Sequence, residues 1–130
     1  MNSLPYSFWK MPSPGVSGQF DYMLIDPEKK RCVVSVLVRT NPLKRGAMPI
    51  WYKEGPRNVF STKNNPLDRW HDHLYRLECD TIYWRWLSKG IEHAWNRVSQ
   101  TEVPEWFSER VQRVYARMDL AEQAAASDGD

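Results

Sequence analysis

The chain is short of the residues that most catalytic and metal chemistry needs. Its 130 residues include two cysteines, three histidines and six glycines. Cys32 and Cys79 lie far apart and form no CxxC pair, which excludes zinc-ribbon spacing and a disulfide framework. There is no glycine-rich phosphate loop and no nucleophile elbow. No apolar run approaches the roughly 20 residues of a membrane span. The opening MNSLPYSFWKMPSPG lacks the basic-then-apolar order of a secretory signal. A cytoplasmic protein without membrane contact or cofactor is the expectation.

What the chain has in excess is aromatic surface. Seven Trp, six Tyr and four Phe accompany 42% hydrophobic and 26% charged residues, a globular composition. Most of the rings are expected in the core. Trp and Tyr are also the residues that anchor interfaces, because they bring large rigid area at small entropic cost. Net charge is +2 but uneven: residues 1–64 hold ten Lys/Arg against four Asp/Glu, and residues 65–130 hold eight against twelve. That asymmetry fits an anionic partner for the first half, or two halves complementing each other within one fold.

The expected organisation is one domain over 1–125, with an irregular, Pro- and Gly-rich arm over 1–19 and a disordered tail over 126–130. FDYMLIDPEKKRCVVSVLVRT (Phe20–Thr40) reads as a hairpin of about 20–26 and 32–39 around a polar turn. Its second strand is apolar on both faces and should be covered on both. Ala47–Glu54 and Arg57–Thr62 follow as further strands after the loop Asn41–Gly46. From Asn65 the spacing predicts helices. The first runs over 66–78 with a Leu67, Trp70, Leu74, Leu77 stripe behind an Asn65-Pro66 start. The second begins near Asp80 and carries Trp84, Leu87, Ile91, Trp95 and Val98, with Gly90 in its middle. The third begins near Pro104 with Phe107, Val111, Val114 and Met118. The predicted fold is therefore α+β: an N-terminal antiparallel meander of three to four strands, then three α-helices packed on the sheet. The stripe of helix 104–120 serves either internal packing or a homodimer.

DRWHDHLYRLEC (Asp68–Cys79) concentrates histidines and carboxylates. On a helix His71 and His73 would stand about 200° apart and hold no common ion. Asp68, His71 and Asp72 would share a side, a weak alternative site for a hard metal, with no second cluster to complete it. Pairing of Cys79 with His93, or of Ser35 with a histidine, has no local support.

Phe20–Thr40 resembles the sheet core of restriction-endonuclease-like nucleases, in which an acidic residue opens one strand and Glu/Asp-x-Lys sits on the next. Asp21 matches the first position, but the second falls on Leu37-Val38-Arg39, with leucine in place of the metal-binding carboxylate. The resemblance implies a degenerate nuclease-like relative.

Two binding readings remain. A meander gathers Lys29, Lys30, Arg31, Lys53 and Arg57 at one end beside Trp51 and Tyr52, a grip suited to phosphates and unstacked bases. In the Tyr83–Trp86 run, Trp84 belongs to the core stripe, which leaves Trp86, with Arg85 and Lys89, as the anchor of a protein interface. The expected function is non-enzymatic protein binding. Its size and style suit a phage or mobile-element accessory or inhibitor protein whose partner handles nucleic acid. Direct nucleic-acid binding and a degenerate enzyme are the alternatives.

Overall fold

Alternation with a period of two, and not helical spacing, governs the chain as far as residue 98. The computed structural model describes residues 4–13, 15, 17–38, 41–87 and 90–128, with side chains described except at 36–38, 41–45 and 127–128. Eight strands follow one another: β1 (Ser7–Pro12), β2 (Phe20–Asp26), β3 (Arg31–Val38), β4 (Asn41–Glu54), β5 (Val59–Lys63), β6 (His71–Glu78), β7 (Thr81–Trp86) and β8 (Glu92–Val98). Each pairs antiparallel with its neighbour in sequence, and β8 closes on β1 through Phe8↔Val98, Trp9↔Arg97 and Lys10↔Asn96. One helix, α1 (Glu105–Asp128), follows a short 3-10 turn and lies against the outer wall. Among the described residues no helix is long and apolar enough to cross a membrane.

The expected α+β architecture is thus overturned: the chain is a closed antiparallel β-barrel with one C-terminal helix, and the first two predicted helices are strands. The stripes that suggested them are coincidences between the two faces of a sheet. Trp84 and Trp95 point into the barrel, Leu87 and Ile91 are exposed at the β7–β8 turn, and Val98 packs under α1. Asn65 does form a cap-like bond, its Oδ1 accepting from the Leu67 N–H at 3.0 Å, but it closes a turn and no helix follows. Gly90, at φ 66°, sits in the β7–β8 turn, where its freedom from Cβ is needed. The predicted hairpin matches β2 and β3 closely. The arm expected to be irregular contains β1, the loop expected over Asn41–Gly46 belongs to β4, and α1 runs to Asp128.

Closure produces two apolar layers. Inside the barrel lie Trp9, Ile25, Cys32, Tyr52, Phe60, Tyr75, Ile82, Trp84 and Trp95. Outside, Phe8, Leu24, Val33, Trp51 and Val98 meet Val103, Phe107, Val114 and Met118. The double-faced apolarity of β3 is explained: Cys32 faces in, and Val33 faces the helix. The helix stripe offered for a homodimer is therefore spent on the barrel wall. None of the seven Trp belongs to the exposed class, so the tryptophans are taken up by these two layers, while Tyr6 and Phe20 remain exposed.

Polar bonds fix the helix in register. Arg31, 4% exposed, reaches Asp119 at 2.6 Å and also Glu122. The Trp51 indole N–H donates to Glu122 at 3.1 Å, and the Tyr115 hydroxyl donates to Asp26 at 2.6 Å. The hydrogen bond from Arg31 holds the Asp119 carboxyl below its usual pKa. Replacing Phe107, fully buried, by alanine should cost about 3–5 kcal/mol in urea unfolding. Leu120→Ala, at a position 65% exposed, should stay within about 0.5 kcal/mol.

Candidate functional site

An eight-stranded barrel has an interior just wide enough for side chains to fill or for one small ligand. Here the large side chains fill only one end. Trp9, Ile25, Tyr52, Phe60, Tyr75 and Ile82 crowd the end where Leu4 closes the barrel, its N–H bonded to Glu54 at 3.1 Å. At the other end a cavity of about 400 Å³ remains.

The seams of the barrel open toward this cavity. The β2–β3 ladder stops at Met23↔Val34, beyond which β2 pairs only with β1 and β3 only with β4. Ser35 spans the gap: its Oγ accepts the Tyr22 N–H at 2.8 Å and donates to Asp21 Oδ1 at 3.2 Å. The β4–β5 ladder begins only at Trp51↔Lys63, so Asn41 and residues 45–50 of the 14-residue β4 are paired on the β3 side alone, and residues 42–44 bulge out of the β3 register. The bulge tolerates Pro42 and the half-paired stretch Pro49, which lack an N–H to donate. Trp84, Trp86 and Trp95 form one wall, and Met11, Met23, Met48, Val34 and Ile50 much of the rest. Asp21, Ser35, Thr62, Asn64 and His93 supply the polar groups.

Behind this wall three adjacent strands are joined by a buried chain of hydrogen bonds. The Trp84 indole N–H lies 2.8 Å from His73 Nδ1, and His73 Nε2 lies 2.7 Å from Thr62 Oγ1. An indole N–H only donates. Nδ1 must therefore be the bare, accepting nitrogen, and the neutral ring carries its hydrogen on Nε2. His73 has no exposed surface, and its ring packs edge-to-face on Trp86 at 4.2 Å. Burial pushes its pKa down to about 4; the charge of nearby His71 adds to the shift and Asp72 opposes it.

The strand assignment moves the sequence-predicted residues. Trp84 and Trp86, two apart on β7, share the inner face, so the proposed protein-interface anchor Trp86 lines the cavity. His71 and His73 likewise fall on one side of β6, not on opposite flanks of a helix, and both rings contact Trp86. Arg85 is exposed on the outer wall, and Lys89 lies outside the described residues. The β2–β3 and β4–β5 turns do share one end of the barrel, but the cations there part company. Arg31 is buried under α1, Lys29 lies over Tyr115, Lys30 pairs with Glu54 at 3.4 Å, and Lys53 lies over Trp70. Trp51 packs beneath the helix, and Tyr52 points inward. Arg57 joins Arg76 and Arg85 around a second, outer-wall concavity of about 310 Å³.

For the alternative metal set, Asp72 accepts from Ser61 at 2.6 Å, while His71 and Asp68 approach to 3.9 Å. Among the described residues no group of three His, Cys, Asp or Glu is placed to hold a metal ion. Asp21, the acidic match of the nuclease resemblance, borders the cavity beside Ser35; the side chains of Leu37, Val38 and Arg39 lie outside the description. Sequence reasoning missed Met11, Met23, Met48, Thr62 and Trp95 as site residues. The signal that marks this wall was Ile82-x-Trp84-x-Trp86 beside His71-x-His73-x-Tyr75, period-two patterns read as helix.

No protein-family model, curated protein or solved structure matches the chain. Its chemistry is read from this geometry alone.

The depressed pKa of His73 has a pH signature. An unfolded histidine titrates near 6.5, the folded ring near 4. As pH falls the unfolded chain binds its proton first. The contribution is therefore fully present above pH 6.5 and is lost between 6.5 and about 4. Urea unfolding at successive pH values should show a loss of up to about 3 kcal/mol across this window, and His73→Gln should remove that part of the slope.

Proposed function

We propose that the protein binds a small, largely apolar, ring-containing molecule inside the open end of its barrel. The observation that carries this reading is the roughly 400 Å³ cavity walled by three Trp and three Met, with a few polar groups set among them. Ligand sites are concave, mostly apolar and of roughly 300–1,000 Å³, with a small number of placed polar groups. Tryptophan faces stack on flat rings, and methionine adapts to irregular shapes. The mouth supports the same reading. Phe20, Leu67, Leu87 and Ile91, exposed by 38%, 73%, 47% and 49%, stand on the turns and strand ends at this end of the barrel, an apolar collar for an entering ligand.

The protein-interface reading gives way to this one because its anchor, Trp86, faces the cavity. The nucleic-acid reading gives way because Arg31 and Lys30 are already engaged by carboxylates of the chain itself. We place the protein in a reducing compartment, in keeping with two free thiols, one of them the exposed Cys79.

The test is a fluorescence titration with the neutral dye 6-propionyl-2-(dimethylamino)naphthalene. Saturable one-to-one binding is expected, with quenching of tryptophan emission. Val34→Phe and Met48→Phe, which fill the cavity while leaving the circular-dichroism spectrum unchanged, should weaken binding about tenfold or more, corresponding to about 1.4 kcal/mol. Equal binding by the filled variants would overturn the reading.

A further inference from the structure

Resting on the cavity reading above, the hydrogen-bond chain Trp84–His73–Thr62 says which chemistry the ligand must present at one wall. The chain has one end whose direction is fixed. Trp84 can only donate, so His73 Nδ1 accepts at 2.8 Å. A neutral imidazole with a bare Nδ1 carries its hydrogen on Nε2, so at 2.7 Å the Thr62 oxygen is the acceptor. A hydroxyl that accepts from one partner still has one hydrogen to give. Thr62 is 3% exposed, lines the cavity, and makes no second side-chain hydrogen bond among the described residues.

We infer that Thr62 is a specificity-determining residue: Trp84 and His73 lock its hydroxyl as a hydrogen-bond donor into the cavity, and the ligand carries an acceptor, such as a carbonyl oxygen, against it. The Thr62 oxygen keeps a second lone pair that a ligand donor can reach, but a ligand that offers only a donor leaves the buried hydroxyl hydrogen without an acceptor. A ligand that offers nothing polar leaves the buried hydroxyl hydrogen without a partner, and an unmade buried hydrogen bond is costly. His73 stays neutral throughout the physiological range, so the lock does not switch with pH there.

The order of the three residues follows β-strand order. Thr62, His73 and Trp84 lie on the consecutive strands β5, β6 and β7, all facing inward. His73 itself touches no ligand in this arrangement. It positions the Thr62 hydrogen, and its ring also backs the Trp86 face of the cavity.

The experiment compares two molecules of one shape, 2-acetylnaphthalene and 2-ethylnaphthalene, by tryptophan quenching in the native protein, in Thr62→Val and in Thr62→Ser. The ratio of their dissociation constants within one protein is compared between proteins, which cancels their different hydrophobicity. The preference for the ketone should fall about five- to tenfold in Thr62→Val, the loss of one ordinary hydrogen bond, and persist in Thr62→Ser. An unchanged preference in Thr62→Val overturns the inference while leaving the cavity reading intact. Binding of neither naphthalene overturns both. Should the valine variant not fold, ring-nitrogen NMR of native His73 decides: a protonated Nε2 with a bare Nδ1 upholds the lock, and the opposite tautomer overturns it.

Discussion

The three-pair ladder between β1 and β8 is the constraint from which the rest follows. Once β8 pairs with β1, every strand has two neighbours, and unpaired edge is left where the seams part, as along residues 45–50 of β4. The ring then has a fixed girth, and each residue on a strand faces either the enclosed space or the outside. Eight strands leave little room within. The chain fills one end with Trp9, Tyr52, Phe60, Tyr75 and Ile82, and at the other end lets two seams part so that space remains. The cavity is thus a consequence of where the ladders stop as much as of which side chains line it.

The outer layer performs a separate task. The helix covers the strands whose outward faces are apolar, and its polar bonds to Arg31, Trp51 and Asp26 all fall on one side of the barrel. A buried guanidinium is costly without partners, and replacing a buried ion pair with apolar residues is often neutral or stabilising. Arg31 therefore adds register more than net stability: it fixes which turn of α1 meets β3. The wall under the helix is tied down by these bonds, while the mouth of the barrel is framed by turns and half-paired strand ends.

Much of the first half was legible in the sequence. The turn chemistry of Asp26–Lys30 and the β-branched run of Arg31–Val38 give β2 and β3 their bounds, and the double-faced apolarity of β3 correctly signalled cover on both sides. Pro104 and the Phe107, Val111, Val114, Met118 spacing placed the start and inner face of α1. The middle was not legible, for a physical reason. Barrel strands beneath a helix or near an apolar rim carry apolar residues on both faces, and on β6 the outward Leu74, more than a third exposed, falls at helical spacing with Leu77, which shares the inward register of Tyr75. Asn65-Pro66 deepened the error, because the side-chain bond that caps a helix also closes a turn. The site was lost with the fold. Trp84 and Trp86 oppose each other on a helix but stand together on a strand, so the period assigned to six residues decided whether a binding cavity was visible.

The most direct test of this account is an NMR titration of the tryptophan indole N–H signals with the neutral naphthalene dye. The seven indoles divide by place: Trp86 and Trp95 border the cavity, while Trp51 and Trp106 lie in the seam between barrel and helix. A ligand in the open end of the barrel gives saturable shifts of the first pair with the second pair unmoved. Movement confined to Trp51 and Trp106 would put the ligand at the helix seam and contradict the cavity reading.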